Sequence, residues 1–119
     1  MTRYAPEKGC LLGIRPGAAH RVIGKGGRYG HVGVSRCGRI FSVDDCQGDY
    51  NVVIGSTKTG RSAVVCASKT VPNKSQNTHV HPYVTPDLKW AIFNSNRAGW
   101  PHIYAARIPD EIVKRVLAT

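Results

Sequence analysis

The sequence predicts an all-β protein, a partial β-propeller of about two and a half four-stranded antiparallel blades followed by a short C-terminal helix. Three observations predict it. Short runs rich in Val and Ile alternate with turn residues along the whole chain, with 13 glycines and 7 prolines spread among them; strands joined by tight connections read this way. A pattern recurs at a period of 50, so that His31 aligns with His81, Ser35 with Thr85, Val43 with Phe93 and Asp44 with Asn94. Only the closing PDEIVKRVLAT shows helical spacing, with Pro109 and Asp110 placed to start it and Ile112, Val113, Val116 and Leu117 on one face.

The elements follow in order. GCLLGIRPGAAHRVIG, from Gly9, reads as two strands and a turn, the outer half of a blade assigned to residues 9–30, because LLGIRPG matches VVIGSTKTG and RVIG matches AVVC. Residues 31–78 read as a full blade: strand HVGV, turn SRCG, a strand ending in VDD, a third strand NVVIGS, turn TKTG and a fourth strand SAVVCAS. Residues 79–119 read as the last blade plus the helix, which would cap it: HPYV, turn TPDL, KWAIFNS, a turn at NRAG, then HIYAAR. The two copies align without a gap as far as Tyr50 with Trp100 and Val53 with Ile103. A chain of 119 residues supports one core, so 1–119 is taken as one unit. Ring closure needs at least about four blades. Further blades of a longer chain, or association of copies into a homo-oligomer, would then cover the open faces.

Seventeen Lys and Arg against seven Asp and Glu give a formal charge of +10, which favours polyanionic partners. The basic residues are dispersed and form no stripe, and the aromatics read as buried, which disfavours nucleic acid; an acidic saccharide fits the same charge. No run approaches the roughly 20 apolar residues of a membrane helix, so no membrane partner is expected. MTRYAPEKGC has no apolar export signal, and Cys10, Cys37, Cys46 and Cys66 form no C-x-x-C pair. Reduced thiols and a cytoplasmic location are the expectation.

SQNTHVHPY, from Ser75, carries the chemistry. The first strand of a propeller blade lines the central channel, so His31 and His81, equivalent by the repeat, should project from neighbouring blades near one end of it. His79 lies two residues before His81 and on the same side of an extended segment, and Gln76 can bring its amide oxygen in from the connecting loop. Three imidazoles and an amide oxygen, without a thiolate, suit a divalent metal of the manganese-to-zinc series. By spacing alone, a polar loop leading into a strand remains the competing reading. His20 and His102 lie at no matching position and are read as surface residues. Arg97, in FNSNRAG, is read as part of a solvated turn and as a candidate substrate-binding contact to an anionic sugar.

The run QNTHVHPYVTPDLKWAIFNSNRAGWPHIYAARIP resembles the closing blades of oligogalacturonate lyases, in which a Q-x-x-H-x-H-P segment precedes F-T-P-D and a final Y-x-A strand ends in proline. HVGVSRCGRIFSVDD is similar to that family's earlier histidine-led blade with its S-x-x-G turn. The resemblance runs from about Gly30 to Pro109 and departs from the pattern at Cys37, where an aspartate is usual, and at Leu88, where a glycine is usual. It implies a seven-bladed propeller, a manganese ion held by His31, Gln76, His79 and His81, and β-elimination on oligogalacturonides, the chemistry of pectin degradation. The family's base is a histidine assisted by an arginine on earlier blades, and this chain has no counterpart of either. The resulting expectation is a metal-binding fragment of a lyase, inactive without the missing blades. The alternative is a non-enzymatic propeller-type module that binds an acidic saccharide or a protein partner.

Overall fold

The computed structural model describes residues 2–5, 10–13, 16–19, 21–25, 29–45, 49–71 and 76–119. Only the backbone is described in residues 2–5, 10–13 and 24–25 and at Gln76. Strands β1 (Thr2–Ala5), β2 (Cys10–Gly13) and β3 (Arg21–Lys25) make the first sheet. The second contains β4 (Val32–Val34), β5 (Ile40–Asp44), β6 (Asn51–Ser56) and β7 (Ser62–Ala67) in that order, and the third β8 (Tyr83–Val84), β9 (Trp90–Ser95) and β10 (His102–Arg107). Every pairing is antiparallel between consecutive strands. A single helix, α1 (Asp110–Leu117), follows.

This is a mostly-β chain of antiparallel sheets with one short helix. Its strand numbers differ from expectation. The first sheet gains β1, which TRYA is too short to announce, while the third has, among the described residues, the three strands read from HPYV, KWAIFNS and HIYAAR. α1 lies on β6 and β7 of the middle sheet, in a core cluster that also takes in Ala91 and Phe93 of the third. Val116 is fully buried there, and Ile112, Val113 and Leu117 pack beside it. Arg61, in the β6–β7 turn, closes the contact by donating from Nη1 to the carbonyls of Arg115 and Ala118, both at 3.2 Å; these are last-turn acceptors that the helix itself cannot satisfy.

Alternation along each strand sends side chains to both neighbours. From the middle sheet Phe41, Val43 and Val53 meet Ile23 of the first sheet, while Ile40, Val52 and Ile54 meet Val84, Ala91 and Phe93 of the third. Phe41 lies over Gly55, its cross-strand partner, where any Cβ would collide with the ring. The innermost strands also lie side by side, β1 against β4 and β4 against β8.

The repeat keeps its register through the first turn and the strands it joins, Gly33↔Ser42 and Val34↔Phe41 matching Tyr83↔Ile92 and Val84↔Ala91. Ser35 N donates to Ile40 O at 2.8 Å and Thr85 N to Trp90 O at 2.9 Å; Gly38 N and Leu88 N close the matching turns onto Ser35 O and Thr85 O. Both turn residues are left-handed, Gly38 at φ 75° and Leu88 at φ 62°. For leucine this conformation costs roughly 1–2 kcal/mol, and packing of its side chain against the core offsets it.

The gapless alignment fails in the third strand. Asp44 pairs with Val52, whereas Asn94 pairs with Ile103, so the offset there is 103 − 52 = 51. One extra residue in the β9–β10 connection accounts for the slip, and a slip of one turns every side chain to the opposite face. Ile103 therefore corresponds to Val52 and not to Val53. Val52 is 0% exposed beneath the third sheet, and Ile103 is 79% exposed on a face that no described residue covers. Trp90 and Tyr83 share that face, and Trp100 is also exposed, which corrects the expectation of buried aromatics for these three, while Phe41 and Phe93 lie in the core.

Candidate metal centre

His31 stands just ahead of β4, and His79 and His81 flank Val80 between a 3-10 turn, Gln76–Thr78, and β8. Val80 is fully buried in the core between the middle and third sheets, which anchors the segment and leaves the two imidazoles on its other side. Gly33 lets the segment approach. A Cβ at Gly33 would stand 2.8 Å from Ser42 Oγ and 3.2 Å from the Pro82 carbonyl oxygen. Ser42 Oγ donates to that carbonyl at 2.9 Å, fixing the residue that follows His81. His81 itself is left-handed, φ 44°, a conformation histidine adopts more readily than most non-glycine residues and β-branched residues avoid.

The three imidazoles converge. Each offers a nitrogen, and these nitrogens all lie within 4.8 Å of one another. The His31 ring centroid is 3.8 Å from that of His81 and 5.3 Å from that of His79. His79 Nδ1 is buried and has no hydrogen-bond partner among the described residues. A buried nitrogen left unpaired costs about 1–3 kcal/mol, and a cation shared by the three rings would relieve it. Nitrogen donors without thiolate fit the first-row divalent metals, so the residues present fit such an ion.

Asp44, at the end of β5, sets His31 in place. Its carboxylate is 1% exposed; Oδ1 accepts from Gly30 N at 3.1 Å and His31 N at 2.8 Å, and Oδ2 lies 2.9 Å from His31 Nδ1. Asn94, its counterpart in the repeat, donates from Nδ2 to the carbonyls of Asn77 and His79, the latter at 3.0 Å. Sequence reasoning did not single out Asp44. The signal was the alignment of Asp44 with Asn94, two polar residues at the end of apolar strands.

Of the other expected site residues, Gln76 opens the 3-10 turn, but its side chain lies outside the described residues, as does His20. Arg97 turns its guanidinium onto the carbonyls of Ala67 and Ser68, both 2.9 Å from Nη2, and stacks over Tyr104 at 5.0 Å; these bonds tie the end of β7 to the third sheet. His102 is exposed at the start of β10, edge-on to Tyr104. Cys37 and Cys66 are free thiols, while the side chains of Cys10 and Cys46 lie outside the described residues. Cys37 occupies the place of Asp87, which accepts from Thr85 Oγ1 at 2.6 Å and Lys89 N at 3.0 Å. The Ser35 hydroxyl, then Arg39, lower the Cys37 thiol to about 7. No helix among the described residues is long and apolar enough to cross a membrane.

No family model matches the chain. Over 70 residues it is 31% identical to the oligogalacturonide lyase of Pectobacterium atrosepticum and 33% identical to the oligogalacturonate lyase of Dickeya dadantii. Each match takes in 56% of this chain and 18% of the relative, so the chain spans under a fifth of the length of these relatives. Among solved structures, an oligogalacturonate lyase in complex with manganese aligns with a TM-score of 0.69 at 22% identity, covering 95% of this chain and 36% of its own. The oligogalacturonate lyase of Vibrio parahaemolyticus aligns with a TM-score of 0.71 at 18% identity, covering 93% and 36%. At these identities the structures speak to the fold. In sequence over 70 residues, and in fold over nearly its whole length, the chain is oligogalacturonate lyase-like.

Proposed function

We propose that this chain is the metal-binding segment of an oligogalacturonate lyase-like protein, in which His31, His79 and His81, joined by Gln76, hold a divalent cation against the carboxylate of an oligogalacturonide. The observation that carries the reading is the convergence of three imidazole nitrogens within 4.8 Å, with a buried, unpaired nitrogen on His79. Manganese is the proposed ion, because a solved oligogalacturonate lyase is described in complex with it.

The reaction class is β-elimination: the C5 proton of a uronate passes to a base and the C4 glycosidic oxygen departs with its bonding electrons, leaving an unsaturated sugar. When bound, such an ion supplies Lewis-acid withdrawal at the uronate carboxylate, which acidifies the C5 proton. The chain's own residues then bind and orient. Val80 anchors the ligand segment, and the Ser42–Pro82 bond keeps it against β4. No residue described here is assigned as the base, so the chain alone is expected to be inactive.

The three face-to-face sheets, with β1, β4 and β8 side by side, support a partial propeller; its first unit, set at 9–30, reaches back to β1, and the others are placed at 31–78 and 79–119. Ile103 is open where Val52 is covered, so further sheets, from a longer chain or a second copy, are expected on that face. A cytoplasmic location goes with this reading. The alternative, a non-enzymatic module for an acidic saccharide or a protein partner, is favoured by the charge of +10.

Elemental analysis tests the metal. The wild-type chain should carry a divalent cation, and His79→Ala with His81→Ala should lose it; no metal in either would end the catalytic reading. Ultraviolet absorbance of the unsaturated product on digalacturonate then separates enzyme from binder. Activity is expected only when the remaining blades are supplied.

A further inference from the structure

We infer that Asp44 is the positioning residue of this centre: it holds the ring proton of His31 at Nδ1 and thereby keeps the Nε2 lone pair for a cation. The inference rests on the metal-centre reading and adds to it a residue and a protonation pattern. A carboxylate without its proton can only accept hydrogen bonds. Asp44 Oδ2, 2.9 Å from His31 Nδ1, therefore calls for the neutral ring to carry its hydrogen on that nitrogen, and in an imidazole with one hydrogen the other nitrogen is the electron-pair donor.

The carboxylate is itself held. Oδ1 takes the backbone N–H groups of Gly30 and His31, so the group that orients the ring also fixes the chain carrying it. With Asp44 buried to 1% exposure, water has little chance to replace the bond. The repeat supplies an independent parallel. At the matching position Asn94 uses its amide N–H groups on the carbonyls of Asn77 and His79. One position in the fold thus secures each half of the cluster, as an acceptor where an imidazole must be oriented and as a donor where a loop must be held. Hydrogen-bonded partners of this kind fix the tautomer of ligating histidines.

Asp44→Asn is the discriminating variant. It keeps an oxygen for the two backbone donors and presents an N–H₂ group to Nδ1, which forces the ring proton to Nε2. With protein labelled by ¹⁵N at histidine, long-range proton–nitrogen spectra of the metal-free form should place the His31 proton at Nδ1 in wild type and at Nε2 in the variant. Titration with Mn²⁺ and with Co²⁺ should show affinity falling roughly 10–100-fold while the backbone amide spectrum stays native. Unchanged affinity, or a wild-type ring proton on Nε2, would overturn the inference. The wild-type ring spectrum decides it even if the variant fails to fold. Wild-type protein that binds neither ion overturns the metal-centre reading, while a ring proton at Nδ1 still upholds the hold of Asp44 on His31.

Discussion

Ser42 Oγ and the carbonyl oxygen of Pro82 are 2.9 Å apart, and this one bond fastens the strand that follows His79 and His81 to the sheet that carries His31. It exists because Gly33, the cross-strand partner of Ser42, has no Cβ to keep the two segments apart.

Gly33→Ala should therefore disturb both stability and the imidazole cluster. The added methyl would meet Ser42 Oγ at 2.8 Å and Pro82 O at 3.2 Å, and a backbone carbonyl cannot swing away as a side chain can. The expected cost is about 1–3 kcal/mol in urea denaturation, with weaker Co²⁺ uptake in the same sample. Unaltered metal affinity would mean that the approach of β8 to β4 does not set the site.

Metal should stabilise the fold through all three imidazoles. At a free ion concentration of about 100 times Kd the gain is roughly 2.7 kcal/mol, read as a rise in Tm that a chelator reverses. His31→Ala, His79→Ala and His81→Ala should each abolish that rise. A residual rise in any one of them removes that residue from the ligand set.

Cys37 should be the fast thiol. Its pKa of about 7, against an ordinary 9.0, means that raising pH through 7 ionises it while most thiols remain protonated, and the thiolate is the nucleophile. Burial moves Cys66 the other way. Alkylation mapped by mass spectrometry at neutral pH should mark Cys37 well before Cys66, and Ser35→Ala should shift the Cys37 profile to higher pH.

Arg61→Ala should loosen α1 and leave the metal site alone. Two carbonyls, of Arg115 and Ala118, lose their donor, worth about 0.5–1.5 kcal/mol each. Faster amide exchange confined to residues 110–117, with cobalt affinity unchanged, is the expected pattern.

The exposed face of the third sheet should drive association. Ile103→Lys puts a charge where the matching Val52 is covered; sedimentation should show concentration-dependent mass in wild type and less of it in the variant. A strictly monomeric wild type at every concentration would remove the second-copy option.

The cluster was legible because H-x-H brackets one apolar residue, Val80, whose burial leaves both imidazoles on the other side, and because the repeat carries His31 onto His81; the left-handed backbone at His81 was not. Asp44 was not, since the first aspartate of SVDD reads equally well as the polar end of a strand; only the burial of its carboxylate and the bond to His31 Nδ1 reveal its role. The slip in the third strand was hidden for a similar reason. NVVIGS and HIYAAR both alternate loosely, so two registers fit, and cross-strand pairing to Asp44 and Asn94 is what chooses. The helix had a clear periodicity, but its apolar face does not say which sheet it covers.

The extra residue between β9 and β10 also governs how the two halves of this chain can be recombined. A chimera that transplants the third strand of one unit into the other must be spliced at an offset of 51 and not 50. Cut at the wrong offset, the graft would present its core side chains to solvent and its solvent side chains to the core. The duplication thus keeps one register up to its second strand, and beyond that point each half has become a part that fits only its own place.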